Sequence, residues 1–351
     1  MGQGREPILA GVTSIETFAC RAAGRIPSDK PRSRPKIAQL SQEEAMEIPG
    51  DLLNQASIIV CTVDRLTDLG LCLESLQRFR PAIADILVVN NGPHFAAVEE
   101  VAKRHDARAI TEPQRGVSRA RNAGIRAAKG NILAFLDDDS VADPNWLPLL
   151  LTPFRDPQVL AVAGSILAQT LADPVSRAFD DLHRAQFPES QQTLEGNAEK
   201  NSFPMRAALV GNANMAIRRE AFDRFGCFDT RLGRGTRIGS GEEPDLFLRV
   251  LLGRAKIVVE PRARILHRPS TEWRAVRRWA FQSGCAHTAI LTKYFLHEPG
   301  LRREILRYAA SRLRRRPKPS ASAPAKFKVP RFSLVLGSLY GPIAFILSEE
   351  D

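Results

Sequence analysis

Little in this sequence staples or anchors it. The five cysteines, Cys20, Cys61, Cys72, Cys227 and Cys285, are odd in number and scattered, with no CxxC pair. That excludes a disulfide framework and a zinc ribbon, and points to reduced thiols in a cytoplasmic setting. The N-terminus shows no charged-then-apolar leader, and Met1-Gly2-Gln3-Gly4-Arg5-Glu6 lacks the Ser or Thr that a myristoylation signal needs. No apolar run is long enough for a clean membrane span: 332–347 is about 16 residues, broken by Gly337, Gly341 and Pro342, where roughly 20 are wanted. No basic stripe with interleaved aromatics runs through the body, so nucleic acid is not an expected partner despite a net charge of +11.

That excess charge has one address. From 301 to 331, eleven Arg and Lys residues face Glu304 alone, so the rest of the chain is near neutral. Beside this segment, the apolar run 332–347 reads either as an interfacial anchor on an anionic membrane or as a terminal helix packed on the body. At the other end, 1–55 carries Pro7, Pro27, Pro31, Pro35 and Pro49 among Arg, Lys and Ser. It reads as a poorly ordered arm with one short helix near 42–46. With 44% hydrophobic and 25% charged residues in 351, the remainder can bury a sizeable core.

What the sequence does have is an acidic triplet, Asp137-Asp138-Asp139, at the end of a continuous apolar run, 132–136. The run reads as a strand buried on both faces. Side chains alternate along an extended chain, so Asp137 and Asp139 point one way and Asp138 the other. Two carboxylates on one side of a buried strand's carboxyl end make a seat for a hard divalent cation. A solvated acidic turn is the plainer reading, but a turn would not need three acids fed by a buried strand.

The segments before the triplet alternate. Strands are expected at 57–62, 86–89 and 107–111, and helices through Leu69, Cys72, Leu73, Leu76 and Phe79, over 98–104 and over 118–129. This is the pattern of a doubly wound, mostly parallel α/β sheet, whose ligands bind outside the carboxyl ends of the strands. Three strands end in polar groups: Thr62 with Asp64, Asn90 with Asn91, and the triplet. A helix is expected at 145–154 and a strand at 159–167, then a long polar connection at 168–204. Order resumes at 207–217 with a helix near 220–225, and the glycine-rich stretch 233–241 leads into a helix opening with Glu242-Glu243-Pro244-Asp245. Separate strands at 256–260 and 265–267 and a long helix over 272–295 complete the body.

Four pieces in this order resemble family 2 glycosyltransferases of the GT-A fold: the strand Ser57-Ile58-Ile59-Val60-Cys61-Thr62-Val63-Asp64-Arg65, the stretch Gly116-Val117-Ser118-Arg119-Ala120-Arg121-Asn122-Ala123-Gly124, Asp137-Asp138-Asp139, and Gly241-Glu242-Glu243-Pro244-Asp245-Leu246. The resemblance covers about two thirds of the chain. It implies a Rossmann-like nucleotide-binding half plus an acceptor half over 56–299, between the flexible arm 1–55 and an extension, 300–351, made of a basic linker and an apolar helix. It also implies a nucleotide diphosphate sugar donor and a Mg or Mn ion held by Asp139 and Asp137, with His267 completing the metal site. Asp137 would also lie toward the ribose. Thr62, Asp64, Asn90, Arg119, Asp137 and Asp138 would face the nucleotide sugar, and Asn90 stands where many relatives have Asp. One arginine of the Arg119 and Arg121 pair would meet the diphosphate or the carboxylates, the alternative being a solvated helix face. Glu243 would be the general base for an acceptor hydroxyl, with inversion at the anomeric centre. The acceptor would be a sugar, a glycan or a lipid-linked precursor, met in the cytoplasm or at the inner face of its membrane, with peripheral contact through the C-terminal segment. A nucleotidyltransferase is the enzymatic alternative, although Thr62-Val63-Asp64-Arg65-Leu66-Thr67 is not the glycine-rich phosphate loop it would carry. A non-catalytic, membrane-docked nucleotide-binding protein is the other.

Overall fold

A computed structural model describes residues 50–80, 82–184, 187–196, 203–314 and 331–348. The short helix expected near 42–46 and the proline-rich 317–330 lie outside the described residues. The first half is a run of alternating strands and helices. β1 (Ala56–Thr62) leads into α1 (Leu66–Leu76), β2 (Asp85–Asn90) into α2 (Phe95–Arg104), β3 (Arg108–Thr111) into α3 (Val117–Ala127), and β4 (Ile132–Asp137) into the short β5 (Ser140–Ala142). The second half begins with α4 (Trp146–Leu151) and β6 (Val159–Ala168). It continues through α5 (Pro174–Arg184), β7 (Gln192–Glu195), β8 (Met215–Arg218), α6 (Arg219–Phe225), α7 (Glu242–Leu252), β9 (Lys256–His267) and α8 (Trp273–His297). Two helices, α9 (Arg302–Arg314) and α10 (Arg331–Ile346), close it.

One sheet runs in the order β3-β2-β1-β4-β8-β6-β9-β5, with β7 also on β9. β1 through β4 pair parallel, as crossover helices require. β8 enters antiparallel between β4 and β6, β6 and β9 pair parallel, and β5 and β7 run antiparallel to β9. Alternate residues feed two cores. Ile59, Leu87, Val89, Leu133 and Phe135 face the side covered by α3, α7 and α8. Ile58, Val60, Ile86, Val88, Ala134 and Leu136 face the side covered by α1, α2 and α4. Burial on both faces explains why these strands are unbroken apolar runs. Helix α3 lies so close to β1 that a Cβ on Gly124 would stand 2.7 Å from Ile59 Cγ2.

Three segments differ from the expectation. The 168–204 connection contains α5, started by Asp173, whose carboxylate accepts the N–H groups of Val175 (2.9 Å) and Ser176 (3.0 Å), with Pro174 at the first helical position. The two strands expected at 256–260 and 265–267 are one, β9: a register shift between Gly164 and Ser165 of β6 carries the pairing past Pro261. The 145–154 helix is α-helical only to Leu151 and tightens into a 3₁₀ turn, Thr152–Arg155, at Pro153.

α10 packs one side on the body and exposes large apolar side chains on the other. A Cβ on Gly337 would stand 1.9 Å from Phe281 O, and one on Gly341 2.3 Å from Cys285 O, both on α8. Glycine lets the two backbones touch there. Ala344 and Phe345 join the larger core. Among the described residues no helix is long and apolar enough to cross a membrane.

Candidate active site

The carboxyl ends of β1, β4 and β9 and the N-terminus of α7 meet at one place. β5 sets its geometry: the strand turns back directly after the triplet, and its antiparallel pairing puts Ser140 opposite His267. Arg268 N–H then bonds Asp139 O at 3.1 Å, and His267 Nε2 stands 3.2 Å from Asp139 Oδ1. Asp137, Asp139 and His267 each offer a ligand atom, all within 4.8 Å of one another. His267 is stacked on Phe179 of α5 at 5.4 Å, and its Nδ1 is buried with no hydrogen-bond partner among the described residues. Two carboxylates and an imidazole converging at this spacing fit a divalent cation in the Mn or Mg class.

The alternation expected in the triplet holds. Asp138 turns inward, where Thr62 Oγ1 donates to Oδ2 at 2.7 Å and Arg65 lies 3.1 Å from Oδ1. Burial pushes the Asp138 carboxyl up to about 7, against the pull of Arg65 and Thr62. Burial, the largest single influence, acts the same way on Asp139, but His267, Arg65 and Arg234 together outweigh it and hold Asp139 down at about 2. Arg65 Nη1 also pairs with Asp139 Oδ2, so one guanidinium bridges two members of the triplet.

A second cation lies behind the site. Arg121 of α3, 4% exposed, donates from Nη1 to Glu242 Oε1 (3.0 Å) and Glu243 Oε1 (2.9 Å), and its Nη2 stands 3.7 Å from Asp137 Oδ1. Burial disfavours its charge, but Glu243, Glu242 and Asp137 together raise its pKa further above the ordinary value. Burial, then the charge of Glu243, pushes Glu242 up to about 8 although Arg121 opposes the shift. The two glutamates open α7 after Gly241, whose φ of +103° suits glycine. Glu243 keeps 12% of its side chain in reach of solvent, against 6% for Glu242.

The remaining expected contacts divide. Asp64 is exposed at the site's mouth, and Arg119 is half-buried, with Nη1 on Gln114 Oε1. Thr62, Asn90 and Asp138, expected to face the nucleotide, are buried. Thr62 and Asp138 bond each other, and Asn90 closes a turn on Gly92, donating to its O at 2.8 Å and accepting from its N at 3.2 Å. Their polar atoms are engaged within the protein. The pieces absent from the expected set are Arg65 and Glu242. Of the arginine pair on α3, Arg121 is the one that meets the carboxylates.

Comparison with known proteins agrees with this architecture. Over 226 residues the chain is 26% identical to a glucosyl-dolichyl phosphate glucuronosyltransferase of Haloferax volcanii, covering 61% of this chain and 69% of that protein. Over 207 residues it is 30% identical to a pre-mycofactocin glycosyltransferase of Mycobacterium tuberculosis, covering 57% of this chain and 41% of that one. In structure it resembles a Pyrobaculum calidifontis mannosyltransferase solved with GDP-Man and Mn2+, with a TM-score of 0.53 at 16% identity over 84% of this chain and 86% of the other. The sheet is thus of the GT-A kind. The model of the family described as glycosyl transferase family 2 matches residues 57–226, and over that segment this chain resembles the family 2 glycosyltransferases.

Proposed function

We propose that this protein is a metal-dependent, inverting glycosyltransferase that moves a sugar from a nucleotide diphosphate sugar to an acceptor hydroxyl. The carrying observation is that the Asp137, Asp139 and His267 cluster and Glu243 share one site, with Arg121 touching both Asp137 and Glu243. A divalent ion held by Asp137, Asp139 and His267 would neutralise charge on the departing diphosphate. Glu243 takes the proton of the acceptor hydroxyl, and the acceptor oxygen forms its bond to the anomeric carbon on the face opposite the diphosphate. The bond from that carbon to the diphosphate oxygen breaks with its electron pair, which inverts the centre. Arg121 holds Glu243 in place at 2.9 Å, beside Asp137. Asp64 and Arg119 are the accessible residues for the nucleotide, while Thr62, Asn90 and Asp138 hold the strand ends that carry it.

The dolichyl phosphate in the Haloferax relative's name supports a lipid-linked acceptor. Nucleotide diphosphate release from sugar donors, with Mn or Mg supplied, tests the reading. Wild type should release it, and Asp139→Ala and Glu243→Gln should lose at least about a hundredfold in rate. Full activity in either variant would sink the site assignment.

A further inference from the structure

Among the described residues, helix α10 buries one side against α8 and has nothing packed on the other. Phe332, Leu336, Leu339, Ile343, Ile346 and Leu347 are each 42% to 76% exposed. The first five are spaced by alternating steps of four and three, which puts them in one stripe along the helix. Six large apolar side chains in one exposed row are more than a soluble surface ordinarily leaves in water.

The charge around the stripe says what covers it. α9, which leads toward α10 in sequence, exposes Arg302, Arg303 and Arg307. From 301 to 331 the chain carries eleven basic residues and one acid. α8 and α10 run parallel, since Gly337 lies on Phe281 and Gly341 on Cys285 and Thr288. Their N-termini therefore share an end, where α8 exposes Trp273, Arg274, Arg277 and Arg278. A second copy of this chain on the stripe would bring two such basic clusters together, and like charges oppose that. An anionic lipid surface attracts the same arginines while accepting the apolar row. A helix of 16 residues is about 24 Å long, short of the roughly 30 Å hydrocarbon core, so it lies in the interface.

We infer that the exposed face of α10, with the arginines at the adjoining end of α8, docks this protein on an anionic membrane surface without crossing it. None of these residues takes part in the catalytic site, so the inference stands or falls apart from the proposed transferase activity.

The test is co-sedimentation of the full chain with vesicles of phosphatidylcholine containing 30% phosphatidylglycerol, beside vesicles of phosphatidylcholine alone. Wild type should bind the anionic vesicles at least about tenfold more tightly, because each arginine near the surface adds roughly fivefold. Binding should fall when salt is raised from 0.1 M to 1 M, as the screening length shrinks from about 10 Å to about 3 Å. The double variant Leu339→Glu, Ile343→Glu should lose about a hundredfold with an unchanged melting temperature, because both side chains are already exposed. Arg274→Gln with Arg277→Gln should lose affinity for anionic vesicles alone. Failure of wild type to bind either vesicle, or wild-type binding by the Leu339, Ile343 variant, would overturn the inference. So would a wild-type dimer in sedimentation velocity that the same variant dissociates, since a second copy would then be the occupant.

Discussion

Glu242→Gln isolates a charge effect built into the site. Glu242 sits buried at the first turn of α7, accepts from Arg121 at 3.0 Å, and has its other oxygen, Oε2, buried without a partner. Burial and the neighbouring Glu243 push it from the ordinary 4.5 up to about 8, so near neutrality it carries a proton. Glutamine imitates that neutral form and can still accept from Arg121 through its amide oxygen. The sign of the linkage follows. Between pH 4.5 and 8 the folded state holds a proton that the unfolded chain has released, so stability falls as pH rises through that window. At up to about 1.4 kcal/mol per pH unit, this amounts to on the order of 3 kcal/mol. Glutamine has no such proton to lose. Urea unfolding at pH 5.5 and pH 8.5 should therefore show wild type losing about 3 kcal/mol more than Glu242→Gln across the interval, with the variant within about 1 kcal/mol of wild type at pH 5.5. Equal losses in the two proteins, or a variant destabilised by several kcal/mol at pH 5.5, would refute the protonated Glu242.

Three other perturbations test separate parts. Lys293 of α8 reaches Asp229 at 2.7 Å and the fully buried Asp245 at 2.9 Å; Lys293→Met should cost about 3–5 kcal/mol, read as a drop in thermal midpoint. Asn214, also fully buried, accepts from Trp146 Nε1 at 2.7 Å and donates to Ser165 O and Ala263 O at 2.8 and 2.9 Å. Asn214→Leu strands all three partners and should cost at least about 3 kcal/mol in denaturant unfolding. Asp139→Asn and His267→Ala should each weaken Mn binding, measured by titration calorimetry without nucleotide, at least about tenfold, whereas Asp64→Asn should leave it within about twofold because Asp64 lies outside the cluster.

How much of this was legible in the sequence depended on how local the cause was. β1, β2 and β4 are buried on both faces, so each is a run of apolar residues that needs no knowledge of its neighbours. Pro261 makes β9 read as two strands, and only the pairing with β6 joins them: β9 bulges out 261–263 between Glu260, opposite Gly164, and Arg264, opposite Ser165. Helix α5 did carry a local signal, Asp173 capping and Pro174 at the first position. Its polar stretch hid it, because the surface it covers is Phe179 against His267 rather than a long apolar stripe.

The site divides along the same line. The acidic triplet announces itself by three like charges after a buried strand, and α7 by acids at a helix start. Arg121 announces nothing: its partners Glu242 and Glu243 are 121 and 122 positions away, and only the packing of α3 against α7 turns it inward. Arg65 is equally silent, and it reaches Asp139 from 74 positions before it. Yet each acid cluster could not be buried without such a cation, since desolvated like charges repel and would take up protons instead. Asp138 shows what happens where the balance is incomplete. It is turned away from the metal seat by strand alternation, buried under Thr62, and shares one arginine with Asp139, so its carboxyl rises to about 7 while Asp139, with His267 beside it, falls to about 2. Adjacent residues of one triplet are thus set apart by which face of β4 they leave: Asp139 stays ionised in the site, and Asp138 ties the end of β4 to the end of β1.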